Sequence, residues 1–77
     1  MNKERRKRLE EIQTKINTLL CEIEEIRNEE ESAYENLPES LQDSERGENM
    51  QEAIDTLQNV YDELEQAASY IEDITDN

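Results

Sequence analysis

Apolar residues recur along the first third of the chain at alternating spacings of three and four: Leu9, Ile12, Ile16, Leu19, Ile23 and Ile26. A second series does the same: Met50, Ile54, Leu57, Tyr61, Leu64, Ala68 and Ile71. That spacing puts each series on one stripe of an α-helix, the a and d columns of a coiled coil. The single proline and the single glycine, Pro38 and Gly47, both fall between the two series. The pattern predicts an all-α fold of two long helices joined near the middle of the chain.

Helix 1 is expected over residues 3–35, with Leu9, Ile16, Ile23 and Glu30 at a and Ile12, Leu19, Ile26 and Ala33 at d. Leu20 widens its apolar face at e. Beyond Ile26 the stripe weakens, and Glu30 occupies an a site. Two readings follow: local loosening near the turn, or a buried carboxylate paired with Arg27 or Arg46 to fix register. The connection covers residues 36–44. Pro38 disfavours helix at Leu37 and suits the first position of a new turn. Asp43 and Ser44 are N-cap candidates for helix 2. Helix 2 is expected over residues 45–74, with Gly47 in its first turns, where either the helix frays or something packs closely against it.

Besides its a and d columns, helix 2 carries apolar residues at g: Ala53, Val60, Ala67 and Ile74. A two-stranded coil needs only two apolar columns. Helix 1 supplies one neighbour, and the third column calls for another. The expected architecture is therefore one domain over residues 1–77, an antiparallel hairpin pairing into a dimeric four-helix bundle with the g column at the interface. Each helix of about 30 residues is about 45 Å long. Aligning the seams puts Ile12 near Ile71, Leu19 near Leu64 and Ile26 near Leu57. The same alignment brings the basic residues 3–8 beside Glu72, Asp73 and Asp76.

Seventy-seven residues give a thin core, and chains this small commonly need a staple or a partner. One Cys and no His exclude an internal disulfide, a Cys/His zinc site and His-dependent catalysis. Cys21 is expected at an outward f position beside Glu22 and Glu24, where carboxylates make a thiol less reactive. The carboxylate pairs project from helix surfaces, and no Asp-rich calcium loop is present. These features predict neither an enzyme nor a cofactor. No run approaches the ~20 apolar residues of a membrane span, and the basic N-terminus leads into no secretory signal. A single free thiol points to the cytoplasm.

The chain carries 22 acidic against 8 basic residues, a net charge of −14. That balance opposes nucleic acid and anionic membranes as partners and favours basic ones. The run Lys3-Glu4-Arg5-Arg6-Lys7-Arg8 is a weak nucleic-acid signal beside −18 on the remaining residues; the clasp across the hairpin explains it better. Acidic residues recur at heptad intervals: Glu10 and Glu11, Glu24 and Glu25, then Glu31 on helix 1, and Glu48, Asp55, Asp62 and Asp76 at b on helix 2. They form either a solvated face that keeps a coil soluble or a mimic of a nucleic-acid backbone. A duplex about 45 Å long carries roughly 26 phosphate charges, within a factor of two of this chain's excess. Glu24, Glu25, Glu31, Glu48, Asp55 and Asp62 are the candidate partner-binding residues.

The segment Asn36-Leu37-Pro38-Glu39-Ser40-Leu41-Gln42-Asp43-Ser44-Glu45-Arg46-Gly47-Glu48, followed by Met50, Glu52, Ala53 and Ile54, resembles small acidic helical proteins of phages and prophages of Gram-positive bacteria. The resemblance implies a phage-type context inside a bacterial host cell. It carries over no functional residues. Small acidic phage proteins often bind and block host factors, including defence nucleases. The leading expectation is thus a non-enzymatic binding protein that inhibits a basic or nucleic-acid-binding host factor by charge mimicry. The alternative is a structural or assembly module that oligomerises through its heptads.

Overall fold

In the computed structural model, which describes residues 1–76, two long helices flank one short turn of helix; Asn77, the last residue of the expected domain, lies outside the described residues. Helix α1 spans Lys3–Glu35, α2 Glu39–Gln42 and α3 Glu45–Thr75. Asn2 caps α1, its side-chain oxygen accepting from the Arg5 N–H at 2.8 Å. The Ser44 hydroxyl caps α3, accepting from the Gly47 N–H at 3.5 Å and donating to the Leu41 carbonyl. Each cap satisfies an N–H that has no partner within its helix. Helix α1 runs unbroken past Glu30 to Glu35, so the polar stretch does not loosen it.

The connection is built rather than loose. Pro38 is the N-cap of α2 rather than its first helical residue, and its carbonyl accepts from the Leu41 N–H at 2.8 Å. The Gln42 side chain reaches back to the Tyr34 and Leu37 carbonyls, 3.4 Å away in each case, at the end of α1 where backbone acceptors lack helical partners. Gly47 is buried, and a Cβ there would lie 2.0 Å from the Gln42 carbonyl oxygen and 2.7 Å from that of Leu41. Its φ is negative, so glycine is required for space and not for conformation. The end of α2 seats directly on the first turn of α3.

Helices α1 and α3 pack along their length in an elongated hairpin of 58 × 14 × 13 Å. The antiparallel register is read from residues that share clefts: Gln13 with Glu72, Leu20 with Glu65, and Arg27 with Gln58. On α3 the seam is the expected one. Ile54 and Ala68 are buried, and Met50, Leu57, Tyr61, Leu64 and Ile71 are half-buried.

On α1 the seam departs from the expected one. The covered positions are Arg6, Leu9, Gln13, Ile16, Leu20, Ile23, Arg27, Glu30 and Tyr34, columns a and e, with Glu31 of column b half-buried beside Arg27. The expected d residues are largely exposed: Ile12 44%, Leu19 48% and Ile26 53%. The helix is turned by about 50° from the a/d orientation, at 100° per residue. Each predicted cross-pair is displaced by one residue on each helix, with Gln13, Leu20 and Arg27 level with Glu72, Glu65 and Gln58 in place of Ile12, Leu19 and Ile26 with Ile71, Leu64 and Leu57. Gln13 and Arg27 can occupy a seam because their methylene stems cover apolar surface; one terminal nitrogen of Arg27 donates to Glu31 and Asn28, while its Nε is buried without a hydrogen-bond partner. With Gln13 level with Glu72, the basic residues 3–8 lie beyond the level of Glu72, and Asp76 is the acidic residue of the expected clasp nearest to them in register.

Buried apolar side chains among the described residues are Leu20, Ile54 and Ala68 alone. The hairpin encloses a single row of side chains, and the columns beside that row face outward.

Candidate functional site

The outward-facing columns differ sharply on the two sides of the hairpin. One side is polar and acidic. Glu24 and Arg27 of α1 share a cleft with Gln58 and Tyr61 of α3. Asn17 and Cys21 share a second cleft with Glu65, Ser69 and Glu72. These are the b, e and f columns of α1 and the a, b and e columns of α3. Asp55 and Asp62 border the same side and accept hydrogen bonds from Gln51 at 3.2 Å and Gln58 at 3.0 Å. Glu31 pairs with Arg27 at 3.0 Å. Arg27 is thus engaged by Glu31 and not by Glu30, the pairing weighed from sequence. Half-buried Glu30 instead shares a depression with Arg46, Asn49 and Met50.

Of the six acidic residues expected to bind a partner, Glu24, Glu31, Glu48, Asp55 and Asp62 occupy b columns of their helices, which flank this one side. Glu25 lies elsewhere. The depression it lines is formed by Cys21, Glu24, Asn28, Glu29, Ser32, Ala33 and Asn36, without a residue of α3. It points away from the hairpin seam. Tyr61, at the floor of the acidic side, holds its phenolic proton above the ordinary value of 10.0, through partial desolvation first and then the negative charge of Glu24. Cys21 is exposed. Among the described residues no three carboxylate or thiol groups gather into a metal-binding cluster.

The opposite side is apolar. By the same register it carries column d of α1 and column g of α3: Ile12, Leu19, Ile26 and Ala33 beside Ala53, Val60, Ala67 and Ile74. The four g residues expected at an oligomer interface are exposed, with Val60 at 42% and Ile74 at 45%. At the open end Met1, Arg5, Arg8, Leu9 and Ile12 line one largely apolar depression. Met1, Ile12, Leu19, Ile26, Val60, Tyr70 and Ile74 all belong to this side or its edge, and they are seven of the eight large exposed apolar residues among those described. The other, Leu41, is in α2. Exposed apolar surface gathered on one side is a common feature of interaction sites.

Sequence reasoning found the α3 half of this face and missed the α1 half. It assigned Ile12, Leu19 and Ile26 to the hairpin seam. The available signal was Leu20 beside Leu19, which makes the stripe of α1 three columns wide, like that of α3.

Among the described residues no helix is long and apolar enough to cross a membrane. Compared with known proteins, the chain matches no family model, no curated protein and no solved structure.

Proposed function

We propose that this chain is a non-enzymatic binding protein that pairs with a second copy through its apolar face and turns its acidic faces outward to a basic protein. The observation that carries this reading is the segregation of exposed side chains. Ile12, Leu19, Ile26, Val60 and Ile74 lie on one side, while Glu24, Glu31, Asp55 and Asp62 border the other. Pairing two hairpins gives a four-helix bundle whose core includes the side chains a lone hairpin leaves wet. The acidic sides then face away from each other at the two outer surfaces.

The partner class follows from charge. A net charge of −14 repels nucleic acid and attracts proteins that bind it. Inhibition of a nucleic-acid-binding host factor in the bacterial cytoplasm, by occupying its basic groove, is the form of this activity that best fits the charge density and the phage-type resemblance. A pure assembly role is favoured by the same apolar face and would leave the acidic side without a ligand.

A bacterial lysate passed over the immobilised protein separates the two. Charge mimicry predicts capture of a basic protein that elutes as salt rises, because exposed charge pairs are screened over about 8 Å at 0.15 M salt. Changing Glu24 and Glu31 to Gln and Asp55 and Asp62 to Asn should abolish that capture and leave helicity and mass unchanged. Equal capture by the neutralised variant would eliminate mimicry.

A further inference from the structure

The edge of the apolar face formed by α1 has a charge order of its own. Its g column reads Arg8, Lys15, Glu22, Glu29 from the open end toward the turn, and all four side chains are exposed. The corresponding edge on α3 is its c column: Asn49, Thr56, Glu63 and Tyr70, also exposed. Two identical faces can meet through a two-fold axis in either of two ways. The axis may run along the hairpins, which puts both turns at one end. It may instead run across them, which puts the turn of each copy over the open end of the other.

We infer that the second copy lies across the first in the end-over-end orientation, with Leu19 at the two-fold axis; this rests on the self-association proposed above. Leu19 is the midpoint of α1 (Lys3–Glu35). Rotation about that point sets Ile12 of each copy against Ile26 of the other. It also sets Lys15 against Glu22 and Arg8 against Glu29, each pair occurring twice. Opposed charges at g meet in this manner because antiparallel helices bring g columns together. The same rotation brings Val60 of each α3 toward Ile74 of the other across Ala67, whose small side chain permits close approach.

The alternative orientation lays α1 of one copy over α3 of the other at equal level. Glu22 then faces Glu63 twice, Lys15 faces Tyr70, and Glu29 faces Thr56. At these three levels it offers no attractive pair and one repulsive pair, repeated; Arg8 falls level with residue 77, outside the described residues. Charge complementarity therefore selects between two arrangements that the apolar residues alone do not distinguish. The face is of sufficient size: an outline of 58 by 14 Å bounds the overlap at about 800 Å² per copy, or at most about 1,600 Å² in total, within reach of a standard stable interface.

Three measurements on the full chain test this. Light scattering should give about twice the 9.1 kDa chain mass. In a Cys21→Ser background, a spin label on Glu4→Cys should report a separation of about 45 Å, since residue 4 is half a helix from the axis in each copy at 1.5 Å per residue. The alternative orientation puts the labels roughly 20 Å apart, about two helix spacings. Finally, Lys15→Glu and Glu22→Lys should each raise the dimer Kd by about 5-fold, as two edge pairs turn from attractive to repulsive, and the double swap should restore it. Residues 15 and 22 are about 10 Å apart within one helix, so coupling between them reports contact across the interface. Circular dichroism confirms that the variants remain helical. A monomer would remove both the pairing and its orientation. A dimer with the short label distance, or with charge swaps that merely add, would overturn the orientation and leave self-association standing.

Discussion

Leu19 and Leu20 are adjacent in the chain and identical in chemistry, yet the hairpin gives them opposite roles. Leu20 is 7% exposed and Leu19 is 48% exposed. Leu20→Ala removes a packed side chain from the seam, near Tyr61 and Ala68. Substitutions of this kind cost about 2–5 kcal/mol through lost transfer energy and residual cavity. The lower half of that range applies here, because a seam only one row deep can close partly around the gap. Leu19→Ala removes a side chain that is already half in water, and roughly 1 kcal/mol of burial is lost from the isolated hairpin. A chain of this length has about 4–12 kcal/mol of total stability at typical values per residue, so the first change consumes a large part of it.

Urea unfolding followed by helical ellipticity measures both, on chain diluted until the midpoint no longer moves with concentration. With a slope of about 1–2 kcal/mol per molar urea, Leu20→Ala should lower the midpoint by about 1–3.5 M. Leu19→Ala should lower it by less than about 1 M. At high concentration the order narrows or reverses: the parent gains stability by mass action as it pairs, and Leu19→Ala loses that gain. Equal losses at high dilution, or a larger loss for Leu19→Ala there, would refute the assignment of the seam to columns a and e and return it to a and d.

Gly47→Ala should destabilise the hairpin by at least about 1–3 kcal/mol, the usual cost of overpacking, and lower its melting temperature, because the new Cβ meets the Gln42 carbonyl; by helix propensity alone the same change would stabilise by about 1 kcal/mol, so a raised melting temperature would show that α2 does not seat on α3. Stability should also fall as pH rises above about 10, because folded Tyr61 keeps its proton to a higher pH than the unfolded chain does and the unfolded state then binds fewer protons. Alkaline melting curves of Tyr61→Phe should show a shallower decline, and an unchanged slope would mean that Tyr61 has no part in it.

The heptad spacing was enough to determine the helices, their lengths and their antiparallel partnership. Periods of three and four admit no strand, Pro38 and Gly47 confine the break to one place, and short connections make neighbouring helices antiparallel. Asn2 and Ser44 mark helix starts through side-chain acceptors that any backbone of this kind would use. The width of the apolar stripe on α3 was equally legible, since Ala53, Val60, Ala67 and Ile74 exceed what one neighbouring helix can cover. The orientation of α1 about its own axis was not. Column a lies between d and e on the helix surface, so Ile16 can share a seam with Leu19 or with Leu20 at nearly equal spacing. Periodicity carries no information about which side of a wide stripe meets the neighbour inside the chain and which is left for a neighbour outside it. That choice depends on how α2 seats against Gly47 and delivers α3 across α1, and on the capacity of Gln13 and Arg27 to line a seam with their stems. Only the tertiary arrangement put Ile12, Leu19 and Ile26 on the same side as the g column of α3, and the b-column carboxylates of both helices on the other.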